Sequence, residues 1–232
     1  MIKNITIEIC AGSFADALRA SEFAEVDRIE FNSALELGGL TPSLSSFLAI
    51  RKKTDKTIIP MVRNRGAGFI YTQDEKNIMY EDAKLFLENG ADGIVFGSLN
   101  EDHTVDQEFT RKMCNLIHSY GKTAVFHKAF DDAEDPYEAI EALIACGANR
   151  ILTSGKEPDA LKGAPLIREL IDTFGTKIEI LPGSGVSEDN AAEILNLTKA
   201  GQIHMSAKET IEQDGQYFAV SSSRIRKILS HI

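Results

Sequence analysis

Short runs of β-branched and aliphatic residues recur along the chain, separated by longer stretches whose apolar positions fall at helical spacing. Eight runs read as strands: ITIEIC (5–10), RIEFN (28–32), TIIPMVR (57–63), GIVFGS (93–98), TAVFHK (123–128), RILTS (150–154), KIEIL (177–181) and QIHMS (202–206). The phrase ENGADGIVFGS (88–98) returns as ACGANRILTSG (145–155), with a weaker echo in AEVDRIEF (24–31). In each copy a helix ends, usually on Gly, a polar turn passes and a strand begins. Helix starts are marked by Thr72 with Glu75, by Asp135-Pro136 with Glu138, and by Ser187 ahead of Glu188 and Asp189. Eight such units in 232 residues predict an α/β fold of the TIM type, a (β/α)8 barrel. A doubly wound sheet would carry GxGxxG after its first strand, and none stands there. No Pro/Ser-rich linker interrupts the pattern, so 1–232 reads as a single domain, with 207–232 as a C-terminal loop and short terminal helix. The long connections at 64–73 and 207–222 are expected to act as lids.

Alternation along a strand assigns side chains to the two faces of such a barrel. With the apolar face turned to the helices, Thr6, Glu8, Cys10, Arg28, Glu30, Asn32, Arg63, His127, Glu179, His204 and Ser206 point into the lumen. Barrel active sites lie at the carboxyl ends of the strands, and titratable groups converging there suit proton transfer. Glu8, Glu30 and His127 are therefore candidate acid–base residues. Arg63 would anchor an anionic group. Ser154-Gly155, Gly183-Ser184-Gly185 and Ser206 sit at adjacent strand ends, where glycine-rich turns let backbone amides approach an anion. Arg28 and Glu179 lie deeper and read as structural ion pairs. The alternative for the upper groups is also a buried ion-pair layer, with Glu8 and Glu30 neutralising Arg28 and Arg63. Lys128 falls on the outward face, which disfavours a Schiff-base aldolase.

Charge and cysteine content narrow the partners. Asp and Glu outnumber Lys and Arg by 35 to 25, a net charge of −10, which disfavours nucleic acid and anionic membranes. No apolar run is long enough to span a bilayer, and the opening MIKNITIEIC reads as a strand rather than a signal peptide. Three cysteines with no CxxC argue against a disulfide framework or structural zinc and for a reducing cytoplasm. Cys114 and Cys146 fall on helical stretches as packing residues; Cys10 alone points into the lumen.

Several phrases, taken jointly and in order, resemble the CutC family over nearly the whole chain. They are Glu8-Ile9-Cys10 with Ser13, Arg28-Ile29-Glu30, Gly38-Gly39-Leu40-Thr41-Pro42-Ser43 and Arg63-Asn64-Arg65-Gly66-Ala67-Gly68-Phe69-Ile70-Tyr71. Phe126-His127-Lys128-Ala129-Phe130-Asp131, Leu152-Thr153-Ser154-Gly155, Gly183-Ser184-Gly185-Val186 and His204 complete the set. The resemblance implies a barrel, cytoplasmic location, a homo-oligomer (dimer or tetramer) and a role in copper homeostasis with copper ion binding. It places Glu8, Cys10, Glu30, Arg63, His127 and His204 around the pocket, with Cys10 and His204 as metal ligands. Two residues depart from the family pattern: Asn32 stands where some relatives carry a second cysteine, and Lys128 where an arginine is frequent. A lone thiol among hard neighbours is a poor Cu(I) cage. Two functions are therefore expected side by side: copper binding, or an isomerase, lyase or hydrolase acting on a small anionic or phosphorylated metabolite.

Overall fold

The structure is a computed structural model and describes residues 5–232; residues 1–4, the start of the opening stretch, lie outside the described residues. Eight parallel strands follow the expected alternation: β1 (Thr6–Ala11), β2 (Arg28–Phe31), β3 (Thr57–Pro60), β4 (Gly93–Phe96), β5 (Thr123–Phe126), β6 (Arg150–Thr153), β7 (Glu179–Pro182) and β8 (Gln202–Met205). Helices α1 (Phe14–Ser21), α2 (Leu44–Arg51), α3 (Gln73–Glu88), α4 (Gln107–Ser119), α5 (Pro136–Cys146), α6 (Ala164–Phe174) and α7 (Ala191–Thr198) connect them. The strands pair as two half-barrels, β3-β2-β1-β8 and β4-β5-β6-β7. A parallel bridge between Met61 and Val95 joins β3 to β4, where the Val62 amide donates to the Val95 carbonyl at 2.8 Å. Across the other seam β7 lies beside β8, and Gln202 Nε2 donates to the Ile180 carbonyl at 3.4 Å.

The alternation holds strand by strand. Ile7, Ile9, Ile29, Phe31, Ile58, Ile94, Phe96, Ala124, Phe126, Ile151 and Ile203 belong to one apolar core shared with the helices. The other face closes the lumen with two unlike sectors. Ile59, Met61, Val95 and Val125 form a small apolar cluster of their own, while Glu8, Arg28, Glu30, Arg150, Gln202 and His204 are buried polar groups. Apolar packing on one side leaves the charged sector with only itself as a source of partners.

Local signals set most boundaries. Thr72 and Glu75 form the reciprocal capping box of α3, and Asp135 caps α5 ahead of Pro136. Ser187 does not start α7. The Asn190 side chain accepts from the Ser187 amide and donates to the Gly185 carbonyl, both at 2.8 Å, closing a turn that delays the helix to Ala191. The strands also end earlier than their apolar runs suggest. β5 stops at Phe126, and a 3-10 turn, Lys128–Asp132, begins under the cap of His127.

The segment expected as a loop after β8 instead forms an antiparallel hairpin, β9 (Lys208–Glu212) with β10 (Gln216–Val220), followed by α8 (Ser222–Leu229). Its tip carries Asp214 and Gly215 at φ 51° and 117°, the Asp-Gly pairing that favours a tight hairpin. Asp16 of α1 accepts from the Val220 amide at 2.7 Å and ties the hairpin to the barrel.

Two glycines give a paired test of this packing. A Cβ on Gly163 would collide with the Ser154 carbonyl oxygen, which is backbone, whereas one on Gly201 would meet nothing within 4 Å. Gly163→Ala is expected to lower unfolding free energy by about 2–4 kcal/mol in urea titration. Gly201→Ala should stay within about 1 kcal/mol of the native chain. Equal stability of the two variants would contradict the packing described.

Candidate functional site

Strands β1, β2 and β8 build a polar cluster around one carboxylate. Their register sets Glu8 opposite both Arg28 and His204, and Cys10 opposite Glu30. Glu8 is only 2% exposed. One of its oxygens accepts from Arg28 Nε, and the other from His204 Nδ1 at 2.7 Å. Arg28 Nη2 donates onward to Gln202 Oε1 at 2.9 Å. One turn of register higher, Asn32 Nδ2 donates to Glu30 Oε1 at 2.8 Å and lies 3.4 Å from Cys10 Sγ, which in turn lies 3.6 Å from Glu30 Oε1.

The electrostatics follow from this placement. Burial works to raise the pKa of Glu8, but the hydrogen bond from His204 and the charge of Arg28 outweigh it and hold the carboxyl at about 2. Burial acts the same way on Glu30, where the attraction of His204 does not overcome it and the Glu8 charge adds to it; its pKa is raised. Burial works against a charged His204, yet the Glu30 charge and hydrogen bonds to Cys10 and Glu8 raise its pKa well above the ordinary value. Burial and then the Glu30 charge push the Cys10 thiol up to about 11. The two carboxyl groups in one lumen are thus driven apart in pKa, Glu8 downward and Glu30 upward.

Arg63 and His127 belong to a second group. Arg63 Nη1 points at the carbonyls of Leu37, Gly38 and Gly39 at 3.2–3.3 Å, and its guanidinium stacks 4.8 Å from the Phe69 ring. Phe69 lies 4.9 Å from the His127 ring. His127 Nδ1 accepts from the Ala129 amide at 3.1 Å, so the ring proton sits on Nε2. Burial first, then the Arg63 charge, press the His127 pKa down to about 3. Arg63 is held by backbone carbonyls and an aromatic face rather than by Glu30, which departs from the expected ion-pair layer.

A cavity of about 520 Å³ opens at the carboxyl ends of β1, β7 and β8. Of the groups expected there, Cys10, Ser184, Gly185, His204 and Ser206 line it, and Lys128, Lys208 and Arg224 join them. Lys128 corrects the outward assignment, because the 3-10 turn breaks the strand alternation at His127. Ser154 and Gly155 are corrected as well. The Ser154 amide donates to Asp131 Oδ2 at 2.9 Å, its hydroxyl lies 2.6 Å from the Glu157 carbonyl, and Gly155 packs against Gly163. Gly183 is packed on Leu152 and the His204 ring, leaving no room for a ligand at its Cα. Of the candidate proton carriers, Glu8 is committed to Arg28 and His204, and His127 stands with Phe69 outside the cavity lining. Sequence reasoning missed Arg150 and Gln202. Both start their strands in the inward phase, a signal that was present in the alternation.

Only one group of His, Cys, Asp and Glu among the described residues brings its donor atoms together as a metal site would: Cys10, Glu30 and His204, all within 4.8 Å of one another. Because Glu8 occupies His204 Nδ1, Nε2 is the nitrogen left for an ion, the carboxylate–histidine arrangement common around bound metals.

Comparison with known proteins gives a consistent answer. The family model described as CutC matches residues 5–209. A CutC family protein of Treponema denticola is 49% identical over 91% of this chain and 85% of its own length. The human copper homeostasis protein cutC homolog is 37% identical over 97% of this chain and 81% of its own. Among solved structures, CutC from Streptococcus agalactiae superposes with a TM-score of 0.81 at 30% identity, covering 87% of this chain and 98% of that one. Phosphoribosylanthranilate isomerase from Thermotoga maritima, at 12% identity and a TM-score of 0.62 over 98% of each chain, shares the fold alone.

The Glu8 cluster makes a pH-dependent contribution to stability. A carboxyl whose pKa is held below its unfolded value stabilises the fold fully above about pH 4.5 and loses that contribution as pH falls toward about 2. Glu8→Gln strands two buried cations, so it is expected to cost about 3 kcal/mol at pH 7. The gap from the native chain should close between pH 4 and pH 2, roughly the span between the two pKa values. Denaturant titrations of both chains at several pH values measure it; a pH-independent gap would refute the assignment.

Proposed function

The chain belongs to the CutC family, and we propose that within it the protein holds one copper ion at the lumen site formed by Cys10, His204 and Glu30. The convergence of these three donors carries this reading. Two further features support it. Glu30 Oε2 is buried without a hydrogen-bond partner, a state that a bound cation would relieve. Cys10 and His204 also border the open cavity, which provides a way in from solvent.

The chemistry of the donors sets the character of the binding. Thiolate and imidazole suit copper, with the thiolate favouring Cu(I), and the carboxylate adds charge balance. Asn32 in place of a second thiol makes the hold looser than a thiolate pair, as suits a buffer that must release its ion. Cys10 and His204 both carry protons at neutral pH before binding. Binding would displace them, so affinity rises with pH. The three free thiols fit work in the reducing cytoplasm, and no helix among the described residues is long and apolar enough to cross a membrane.

Anaerobic Cu(I) titration against a competing chelator tests the reading. The native chain is expected to bind one ion, with affinity increasing from pH 6 to pH 8. Loss of the positioning carboxylate in Glu8→Gln should weaken binding about 10–100-fold. Cys10→Ser should weaken it further. Equal, weak affinities for the native chain and Cys10→Ser would remove the proposal.

A further inference from the structure

We infer that the cavity above the Cys10–Glu30–His204 cluster is a binding site for a small phosphorylated metabolite, a phosphate monoester with a short organic body. The charge around it is opposite to that of the molecule. The chain carries −10 overall, yet Lys128, Lys208, Arg224 and His204 border the cavity and no Asp or Glu does. A cleft lined by one sign of charge between low-dielectric walls concentrates a ligand of the other sign.

The basic groups differ in how far they are already engaged. Arg224 pairs with Glu188 at 2.8 Å and donates to the Lys208 carbonyl at the same distance, so it braces the wall. Lys128 Nζ lies 3.8 Å from Asp131, a loose contact. Lys208 pairs with no carboxylate among the described residues and lies over the Phe218 ring at 4.0 Å. Lys128 and Lys208 are thus the two bordering cations not held in a close ion pair. Ser187 and Ser206 add hydroxyl groups to the same lining, while the Ser184 hydroxyl donates to the Pro158 carbonyl at 3.2 Å.

Size and polarity then separate an ester from a bare oxyanion. A volume of about 520 Å³ falls in the range of small-molecule pockets and far exceeds what a single phosphate fills. Leu35, Leu152 and Val186 add apolar side chains to the same lining, suited to the carbon skeleton. Backbone geometry points to the same two loops. Ser184 and Ala207 hold φ of 84° and 42°, conformations that cost free energy in residues bearing a Cβ and that cluster at ligand sites. The inference goes beyond copper binding and does not depend on it, because Lys128, Lys208 and the serines are not among the proposed metal donors.

Isothermal titration of the full metal-free chain with ribose 5-phosphate, glycerol 3-phosphate, orthophosphate and ribose tests it. At least one ester is expected to bind, orthophosphate at least about tenfold more weakly, and ribose not measurably. Lys128→Gln and Lys208→Gln, with unfolding transitions like that of the native chain, should each weaken ester binding about tenfold or more, since each removes a charge-assisted hydrogen bond. Lys177→Gln, an exposed lysine just before β7 at the opposite end of the barrel, should change nothing. Cys10→Ser should retain ester binding even though it loses copper, so the two proposals fail separately. Absence of ester binding, orthophosphate binding as tight as the esters, or binding indifferent to both lysine substitutions would overturn the inference.

Discussion

The polar sector of the lumen built by β1, β2 and β8 depends on Glu8. Its two oxygens are divided between Arg28 and His204, so one side chain joins the lower strand positions to the carboxyl-terminal face. A buried carboxylate is unfavourable without partners, and each of these cations is equally so without the carboxylate. The three are therefore stable only as a set. Because β1 lies between β2 and β8, parallel register alone brings them together. Ile59, Met61, Val95 and Val125 close the other side of the lumen with apolar packing and supply no competing polar partners.

That division shapes the chemistry above it. With Nδ1 committed to Glu8, Nε2 is the His204 nitrogen left for a ligand beside Cys10 and Glu30. The negative charge of Glu8 is spent on cations, and Glu30, buried beside it, is left with one unpartnered oxygen. A site of this kind calls for positive charge at the strand ends, whether a proton or a metal ion. The cavity over it is basic, so a cation seated below and an anion seated above would reinforce one another electrostatically.

The barrel was legible in the sequence because both of its determinants are local. Strand alternation placed Glu8, Cys10, Arg28, Glu30, Asn32, Arg63 and His204 inward, and the structure buries each of them. Errors arose where a side chain overrides the pattern from outside its own element. Asp131, in the turn after β5, takes the amide of Ser154 and makes that residue part of a loop scaffold. Asn190 closes a turn where Ser187 looked like a cap. Lys128 reached the cavity because its strand ends two residues earlier. The hairpin after β8 was within reach, since Asp214-Gly215 is a recognised turn pair between alternating residues. Which lumen groups pair with which was not, because partners such as Glu8 and His204 meet through strand register and not through sequence spacing.

The charge of Glu30 and the hydrogen bond from Nδ1 to Glu8 together hold His204 as a cation. Nitrogen-15 NMR of the imidazole in the metal-free chain reads this directly. In the native chain His204 is expected to titrate well above the ordinary imidazole range, and Glu8→Gln is expected to lower its pKa and release Nδ1. A His204 that titrates near 6.5 in the native chain, unmoved by Glu8→Gln, would contradict it.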